Sequence, residues 1–233
     1  MGTGYSWSWT SPGVAVRDVK ELARAERTQL ATLLHSLTPQ QWQTPSLCAG
    51  WSVRDVVAHM LSYEELGPGG VASRFARGWL RFDRANAIGL DDFAEHSPHQ
   101  LLDLLDRSLQ PRGLTTAFGS RIALVDGMIH QQDIRRPLGL PRDIPAEALV
   151  PALDFARIAP PIGAHRRIRG LRLAATDLDW TAGSGPEVRG PGEALLMSVA
   201  GRGDVANELE GPGLATLRVR LGGSSSGRPP ANV

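Results

Sequence analysis

Apolar side chains recur at helical spacing through the first two-thirds of the chain. Within residues 14–37, seven apolar side chains recur at helical spacing with charged residues between them: Val16, Val19, Leu22, Leu30, Leu33, Leu34 and Leu37. This pattern is typical of an amphipathic helix. Comparable patterns predict further helices over residues 53–66, 71–87, 98–110, 120–136 and 146–157, and a short helical turn over 38–42.

Local signals mark the start of one of these helices and the end of another. Ser52 precedes the helix predicted over 53–66 and is a good N-cap, with the acidic Asp55 in the first turn. Arg135 and Arg136 occupy the last turn of the helix predicted over 120–136, and Pro137 follows them. The start of the first helix and the end of the second are therefore specified by short-range chemistry.

The pattern changes near residue 160. Residues 168–175 and 214–221 alternate between apolar and polar side chains, which favours strands, and a short helix is predicted over 194–201. The end of the chain is rich in Gly, Ser and Pro, which predicts disorder. We expect a helical bundle over 1–160, a small α+β domain over 161–221 and a disordered tail over 222–233.

Charge and composition exclude several classes of partner. The chain has 24 acidic and 25 basic residues, so its net charge of +1 offers no footprint for nucleic acid or an anionic membrane. It has no apolar run long enough for a membrane span and no signal-peptide pattern at its start. With the single cysteine Cys48, it suits a reducing compartment. We expect a cytoplasmic monomer or homodimer that binds neither nucleic acid nor membrane.

Two residues on one predicted helix are candidate metal ligands. Asp126 and His130 are four residues apart, which places them a turn apart on one helical face. A carboxylate and an imidazole in that position can hold one cation together. The alternative is a solvated helical face or a hydrogen bond along the helix, and spacing alone does not choose between them.

His59 is a candidate for a third ligand. It lies in the otherwise apolar stretch 56–61, so its side chain is expected to point inward. A buried core histidine is the alternative. Helical bundles build metal sites from facing helices, and two histidines with one carboxylate are the ligand set of a catalytic zinc site with an open position.

Two segments resemble the signatures of a known family. Residues 47–59, Leu-Cys-Ala-Gly-Trp-Ser-Val-Arg-Asp-Val-Val-Ala-His, and residues 130–139, His-Gln-Gln-Asp-Ile-Arg-Arg-Pro-Leu-Gly, are similar to those of the mycothiol-dependent maleylpyruvate isomerase family, within the DinB-like superfamily. Asp179-Trp180, Gly201-Arg202 and residues 209–213 resemble its C-terminal domain more loosely. The resemblance implies a DinB-like four-helix bundle followed by a small α+β domain.

The resemblance also implies a ligand set and a cofactor. His59, Asp126 and His130 would hold a divalent metal, with zinc first and nickel or another divalent ion as alternatives. The best-known members carry glutamate where this chain has Asp126, whose side chain is one methylene shorter. The implied thiol cofactor is mycothiol, which would act on a small-molecule substrate.

The implied activity is S-transfer or cis–trans isomerisation of a small electrophilic substrate, because a metal-bound thiol is deprotonated and becomes a nucleophile. Two alternatives remain open. The same metal site without a thiol suits a hydrolase that activates water. A non-catalytic bundle would bind a metal or small ligand only.

Other residues have expected roles around the proposed ligands. Asp133 is three residues beyond His130 and would orient the imidazole ring; its alternative is an ion pair with an arginine of the same turn. Arg84 and Asn86, near the end of the helix predicted over 71–87, are candidates for contacting a polar cofactor. Cys48 is interpreted as a small buried hydrophobe rather than a nucleophile.

Overall fold

The computed structural model describes residues 18–64 and 66–225. Within these ranges it is helix-rich, with a small sheet near the C-terminus. The helices are α1 (Val19–His35), α2 (Pro39–Trp42), α3 (Val53–Leu61), α4 (Pro68–Arg77), α5 (Phe82–Asp92), α6 (Pro98–Arg107), α7 (Ala117–Arg135), α8 (Ala146–Ala156), α9 (Ala164–Ile168), α10 (Gly192–Val199) and α11 (Leu214–Ser225). The strands are β1 (Arg172–Ala175), β2 (Thr181–Gly183) and β3 (Glu187–Gly190). None of the described helices is both long enough and apolar enough to cross a membrane.

Four helices form the bundle. Helix α1 packs along α7, α3 packs against α7, and α6 contacts both α1 and α3. Their apolar faces bury Leu30, Leu34, Val56, Leu101 and Ile134. The predicted fold class, a helical bundle followed by a small α+β unit, is confirmed.

The C-terminal unit is built on a three-stranded sheet of order β2-β1-β3. Strand β1 pairs antiparallel with β2 and parallel with β3, and α10 contacts both the sheet and α8. One buried apolar cluster contains Leu124 and Leu149 from the helical part together with Leu173 and Leu196 from the C-terminal unit. The two parts therefore share a core, and the division at residue 160 stays a prediction.

The strand predicted over 214–221 is wrong, because this segment lies in helix α11. Leu217 and Leu221 are both buried, four residues apart on one helical face. Val219, which an alternating strand would bury with them, is 76% exposed. The strand predicted over 168–175 is also too long, since α9 ends at Ile168 and β1 begins at Arg172.

Some predicted boundaries fall at the edges of the described residues. Helix α1 corresponds to the helix predicted over 14–37, of which residues 14–17 lie outside the described ranges. Helix α11 includes 222–225, which the sequence pattern assigned to the tail. The rest of that predicted tail, 226–233, lies outside the described residues.

The single helix predicted over 71–87 is wrong, because the chain forms two helices, α4 and α5, separated by a turn. Trp79 and Leu80 have positive φ angles of 55° and 56°, which a continuing right-handed helix excludes. At Gly78 the two helices approach so closely that an added Cβ would lie 2.9 Å from the backbone nitrogen of Ala85. The periodicity of the segment does not reveal this contact.

Gly78→Ala is therefore expected to destabilise the protein by about 1–3 kcal/mol, the usual cost of forcing an extra methyl group into a packed site. Urea unfolding followed by circular dichroism measures the change. Gly69→Ala, in α4, is the matched control, because no heavy atom lies within 4 Å of an added Cβ there. Equal stability of the two variants would contradict the close contact at Gly78.

Candidate metal centre

His59 is positioned by the start of helix α3. Ser52 and Asp55 form a reciprocal cap: the Ser52 hydroxyl accepts from the Asp55 backbone nitrogen at 3.3 Å, and the Asp55 carboxylate accepts from that of Ser52 at 3.0 Å. This cap fixes the helix start. His59 lies on the buried side of α3 and is 1% exposed.

Asp126 and His130 lie one turn apart on α7. The His130 ring is fully buried, and its Nε2 lies 3.5 Å from Asp126 Oδ1. Nε2 makes no hydrogen bond in the described structure. The His59 ring meets the His130 ring edge-on, with 5.1 Å between centroids and 80° between planes. The two facing helices thus bring both imidazoles to one point.

The three predicted ligands come together in the structure. One ligand atom each from His59, Asp126 and His130 lies within 4.8 Å of the other two, so one cation can touch all three after small side-chain movements. Two imidazole nitrogens and a carboxylate oxygen are donors that suit zinc. A buried Nε2 without a hydrogen bond is the kind of atom that a metal satisfies. The donor set therefore fits a divalent cation, and metal binding itself stays a prediction.

A shell of buried hydrogen bonds, made by Asp133, Arg202 and Cys48, lies on the Nδ1 side of His130. Asp133, fully buried, accepts from His130 Nδ1 at 2.9 Å. Arg202 donates from Nε to Asp133 Oδ1 at 2.8 Å and from Nη2 to Oδ2 at 2.5 Å. The Cys48 thiol donates to the same Oδ2 at 3.1 Å. Asp133 therefore has the contact that the sequence suggested, and its arginine partner comes from the C-terminal unit rather than from its own turn.

Charges in this shell shift the pKa values of its members. Burial raises the pKa of Asp133, but the charge and hydrogen bonds of Arg202 outweigh burial and hold that pKa well below its usual range. Burial lowers the pKa of His130, but Asp126 and then Asp133 outweigh it and hold the pKa well above its usual value. A cation that binds His130 in the metal-free protein therefore competes with a proton.

Another trio of potential ligands shares His130. Cys48, His130 and Asp133 also bring ligand atoms within 4.8 Å of one another. The Arg202 guanidinium already donates to both the thiol and the carboxylate. A metal cation there would lie against this positive charge and displace its hydrogen bonds. The trio of His59, Asp126 and His130 is consequently the better cation site.

Aromatic and polar side chains form a wall beside His59. The Trp51 ring lies 5.1 Å from the His59 ring, and the Tyr63 ring meets it edge-on at 6.1 Å. The Tyr63 hydroxyl donates to Asn86 Oδ1 at 2.7 Å, and burial raises the Tyr63 pKa. Asn86 is thus buried near the candidate site, whereas Arg84 is exposed and outside the buried cluster.

Sequence reasoning gave Tyr63 and Arg202 no role in this region and described Cys48 incompletely. Tyr63 follows His59 by four residues, so helical spacing alone was a usable signal for it. Arg202 is 69 residues from Asp133, and no local pattern connects them. Cys48 is buried as expected, but its thiol belongs to the hydrogen-bond shell of His130 rather than to a purely apolar environment.

Comparisons with known proteins match part of the chain to a family model and most of it to a known fold. A family model described as the mycothiol maleylpyruvate isomerase N-terminal domain matches residues 23–114. No curated protein matches the chain. The crystal structures of a mycothiol-dependent maleylpyruvate isomerase and of a mutant of it each have a TM-score of 0.50 at 14% identity, covering 85% of this chain and 93% of the other. At this identity the structures establish a shared fold. Residues 23–114 thus match the model of the mycothiol maleylpyruvate isomerase N-terminal domain, the family that the sequence resemblance indicated.

Proposed function

We propose that this chain is a metal-dependent enzyme that uses mycothiol for S-transfer to, or cis–trans isomerisation of, a small electrophilic substrate. The observation that carries the proposal is the buried convergence of His59, Asp126 and His130. Part of that site lies in a domain whose family is named for mycothiol-dependent isomerisation. Fold likeness alone would not assign the activity.

The ligand set supports both the metal and an open coordination position. Three protein ligands, two imidazoles and a carboxylate, are the arrangement of catalytic rather than structural zinc sites. Nickel or another divalent cation is the alternative occupant. A divalent cation with an open position lowers the pKa of a bound thiol, which then acts as a nucleophile at neutral pH.

The chain's own side chains prepare this site. Asp133 accepts from Nδ1 of His130, which keeps the lone pair of Nε2 directed toward Asp126 and His59. Asp126 supplies the negative charge that offsets part of the charge of a cation. Because all three ligands are at most 6% exposed, water is largely excluded and electrostatic interactions inside the site are strengthened.

The wall beside His59 is our candidate for cofactor contact. Mycothiol carries sugar hydroxyl groups, which need hydrogen-bond partners when they are desolvated. The Tyr63–Asn86 pair offers a hydroxyl and an amide next to His59. Asn86 remains a proposed cofactor-binding residue on this ground. Arg84 remains one through its charge at the exposed surface of α5.

A binding experiment tests the use of mycothiol. Saturating mycothiol is expected to raise the melting temperature of the zinc-loaded protein, because a ligand that binds only the native state stabilises it. At a concentration 100 times Kd the gain is about 2.7 kcal/mol, which corresponds to several degrees for a chain of this size. Differential scanning calorimetry measures the shift.

The controls separate the competing functions. Glutathione at the same concentration should give a smaller shift, since it lacks the sugar groups of mycothiol. Metal-stripped protein should show a smaller response to mycothiol than zinc-loaded protein. A protein that neither shifts nor turns over any of a panel of electrophiles, maleylpyruvate included, would contradict the mycothiol proposal. Ester or amide hydrolysis without any thiol would favour the hydrolase instead.

A further inference from the structure

We infer that the C-terminal unit completes the metal centre through Arg202, a positioning residue that acts on His130 by way of Asp133. The inference rests on the proposed metal site and deepens it. The hydrogen bonds of the Arg202 side chain go to Asp133, Cys48 and Ala200. None of them goes to a candidate metal ligand.

The backbone conformation at Gly201 and Arg202 directs the Arg202 side chain toward the helical bundle. Arg202 follows α10, and Gly201 adopts a positive φ of 95°, a conformation that favours glycine. The Arg202 backbone nitrogen donates to the Met197 carbonyl at 3.0 Å, and its Nη1 donates to the Ala200 carbonyl at 3.0 Å. Arg202 as a whole is 5% exposed. The guanidinium is therefore held by its own unit while it reaches across to α7.

Arg202 fixes both oxygens of the Asp133 carboxylate. Its Nε and Nη2 donate to Oδ1 and Oδ2 respectively, and such paired bonds between guanidinium and carboxylate determine the orientation of the carboxylate plane. Nη2 also lies 3.4 Å from the Cys48 sulfur. The plane of the buried Asp133 carboxylate is thus held in one orientation.

The fixed orientation of Asp133 determines how His130 can bind. Both oxygens of Asp133 accept hydrogen bonds from Arg202, and the His130 Nδ1 that faces Oδ2 at 2.9 Å is held against the same carboxylate. Nε2 is then the ring nitrogen that faces His59 and Asp126. Without Arg202 the carboxylate would lose the paired bonds that fix its plane. Its rotation would release the imidazole ring from this one orientation.

This role differs measurably from a purely structural ion pair. A structural pair changes the free energy of unfolding and leaves the metal affinity of the folded protein alone. A positioning pair changes metal affinity, and loss of such outer partners typically weakens metal binding about 10–100-fold. The affinity of folded protein for a metal is therefore the deciding quantity.

The test compares cobalt(II) affinities, measured by chelator competition, of the full-length wild type, Arg202→Met and Arg202→Lys. Both variants are expected to bind about 10–100-fold more weakly, with an altered visible absorption spectrum of the bound cobalt. Lysine keeps the charge but cannot make the paired bonds, so Arg202→Lys decides the matter if Arg202→Met does not fold. In an Asp133→Ala background, Arg202→Met should cause no further loss of affinity.

The control is Arg189→Met. Arg189 belongs to the same unit and donates to the Glu210 carboxylate at 2.9 Å, but makes no hydrogen bond to Asp133 in the described structure. Its loss should leave cobalt affinity within about twofold of the wild type, since it does not belong to the partners whose loss weakens a metal. If wild type binds cobalt and both Arg202 variants match it, this inference is overturned and the metal site stands. If wild type binds no divalent metal, the site and this inference both fail.

Discussion

His130→Ala is expected to lose the metal, which we expect the wild-type protein to carry at about one divalent ion per chain. His130 lies between the other two candidate ligands: its Nε2 is 3.5 Å from Asp126 Oδ1, and its ring is 5.1 Å from that of His59. Removal of the imidazole leaves two ligands on different helices, too few to retain a catalytic type of site. Metal analysis by mass spectrometry, on protein purified without chelator, measures the stoichiometry.

The matched control for this variant is His99→Ala. His99 is an exposed residue of α6 that lies 3.2 Å from Asp103, far from any of the three candidate ligands in sequence and on the solvent side of its helix. Its loss should leave the metal content unchanged. Wild-type protein without metal, or His130→Ala protein with a full complement, would refute the site.

Asp133→Ala is expected to destabilise the protein by about 3–5 kcal/mol, the usual cost of removing one member of a buried ion pair. Asp133 is fully buried, and Arg202 and His130 both donate to it. Alanine leaves the Arg202 guanidinium in the interior without its carboxylate partner. Urea unfolding of metal-free protein measures this effect separately from any loss of metal.

Asp103→Ala provides the comparison for that experiment. Asp103 also pairs with a histidine in its own helix, but its side chain is 50% exposed. Exposed pairs contribute about 0–1 kcal/mol, so this variant should change stability little. If Asp133→Ala lowers the free energy of unfolding no more than Asp103→Ala does, the prediction is contradicted. The Arg202 guanidinium would then not be left as an unpaired buried charge, for example because the interior rearranges to admit water.

Short, contiguous segments carried the resemblance of the chain to a known family. Local physical rules explain the helical structure that these segments adopt. A helix places residues four apart on the same face, so Asp126 and His130 were linked by their spacing alone. Ser52 and Asp55 specified the start of α3, and the cap forms as expected. His59 could be placed inward because its neighbours are apolar, and it is buried.

Periodicity failed where two packing arrangements share one pattern. In α11 the residues Leu217, Val219 and Leu221 alternate as a strand would, yet Leu217 and Leu221 also share one helical face. At the break between α4 and α5, Gly78 lies against the backbone of Ala85. A contact between two elements leaves no trace in the hydrophobic pattern of either.

The sequence by itself indicated the helical elements of the bundle, because caps and periodicity act over a few residues. It named the three candidate ligands through helical spacing, apolar context and the resemblance to a family. Only the tertiary structure decided that His59 on α3 meets Asp126 and His130 on α7. It alone decided that Arg202 pairs with Asp133 across 69 residues. Such pairings depend on how helices and the C-terminal unit pack around a common core, and packing is a property of the whole chain rather than of any segment.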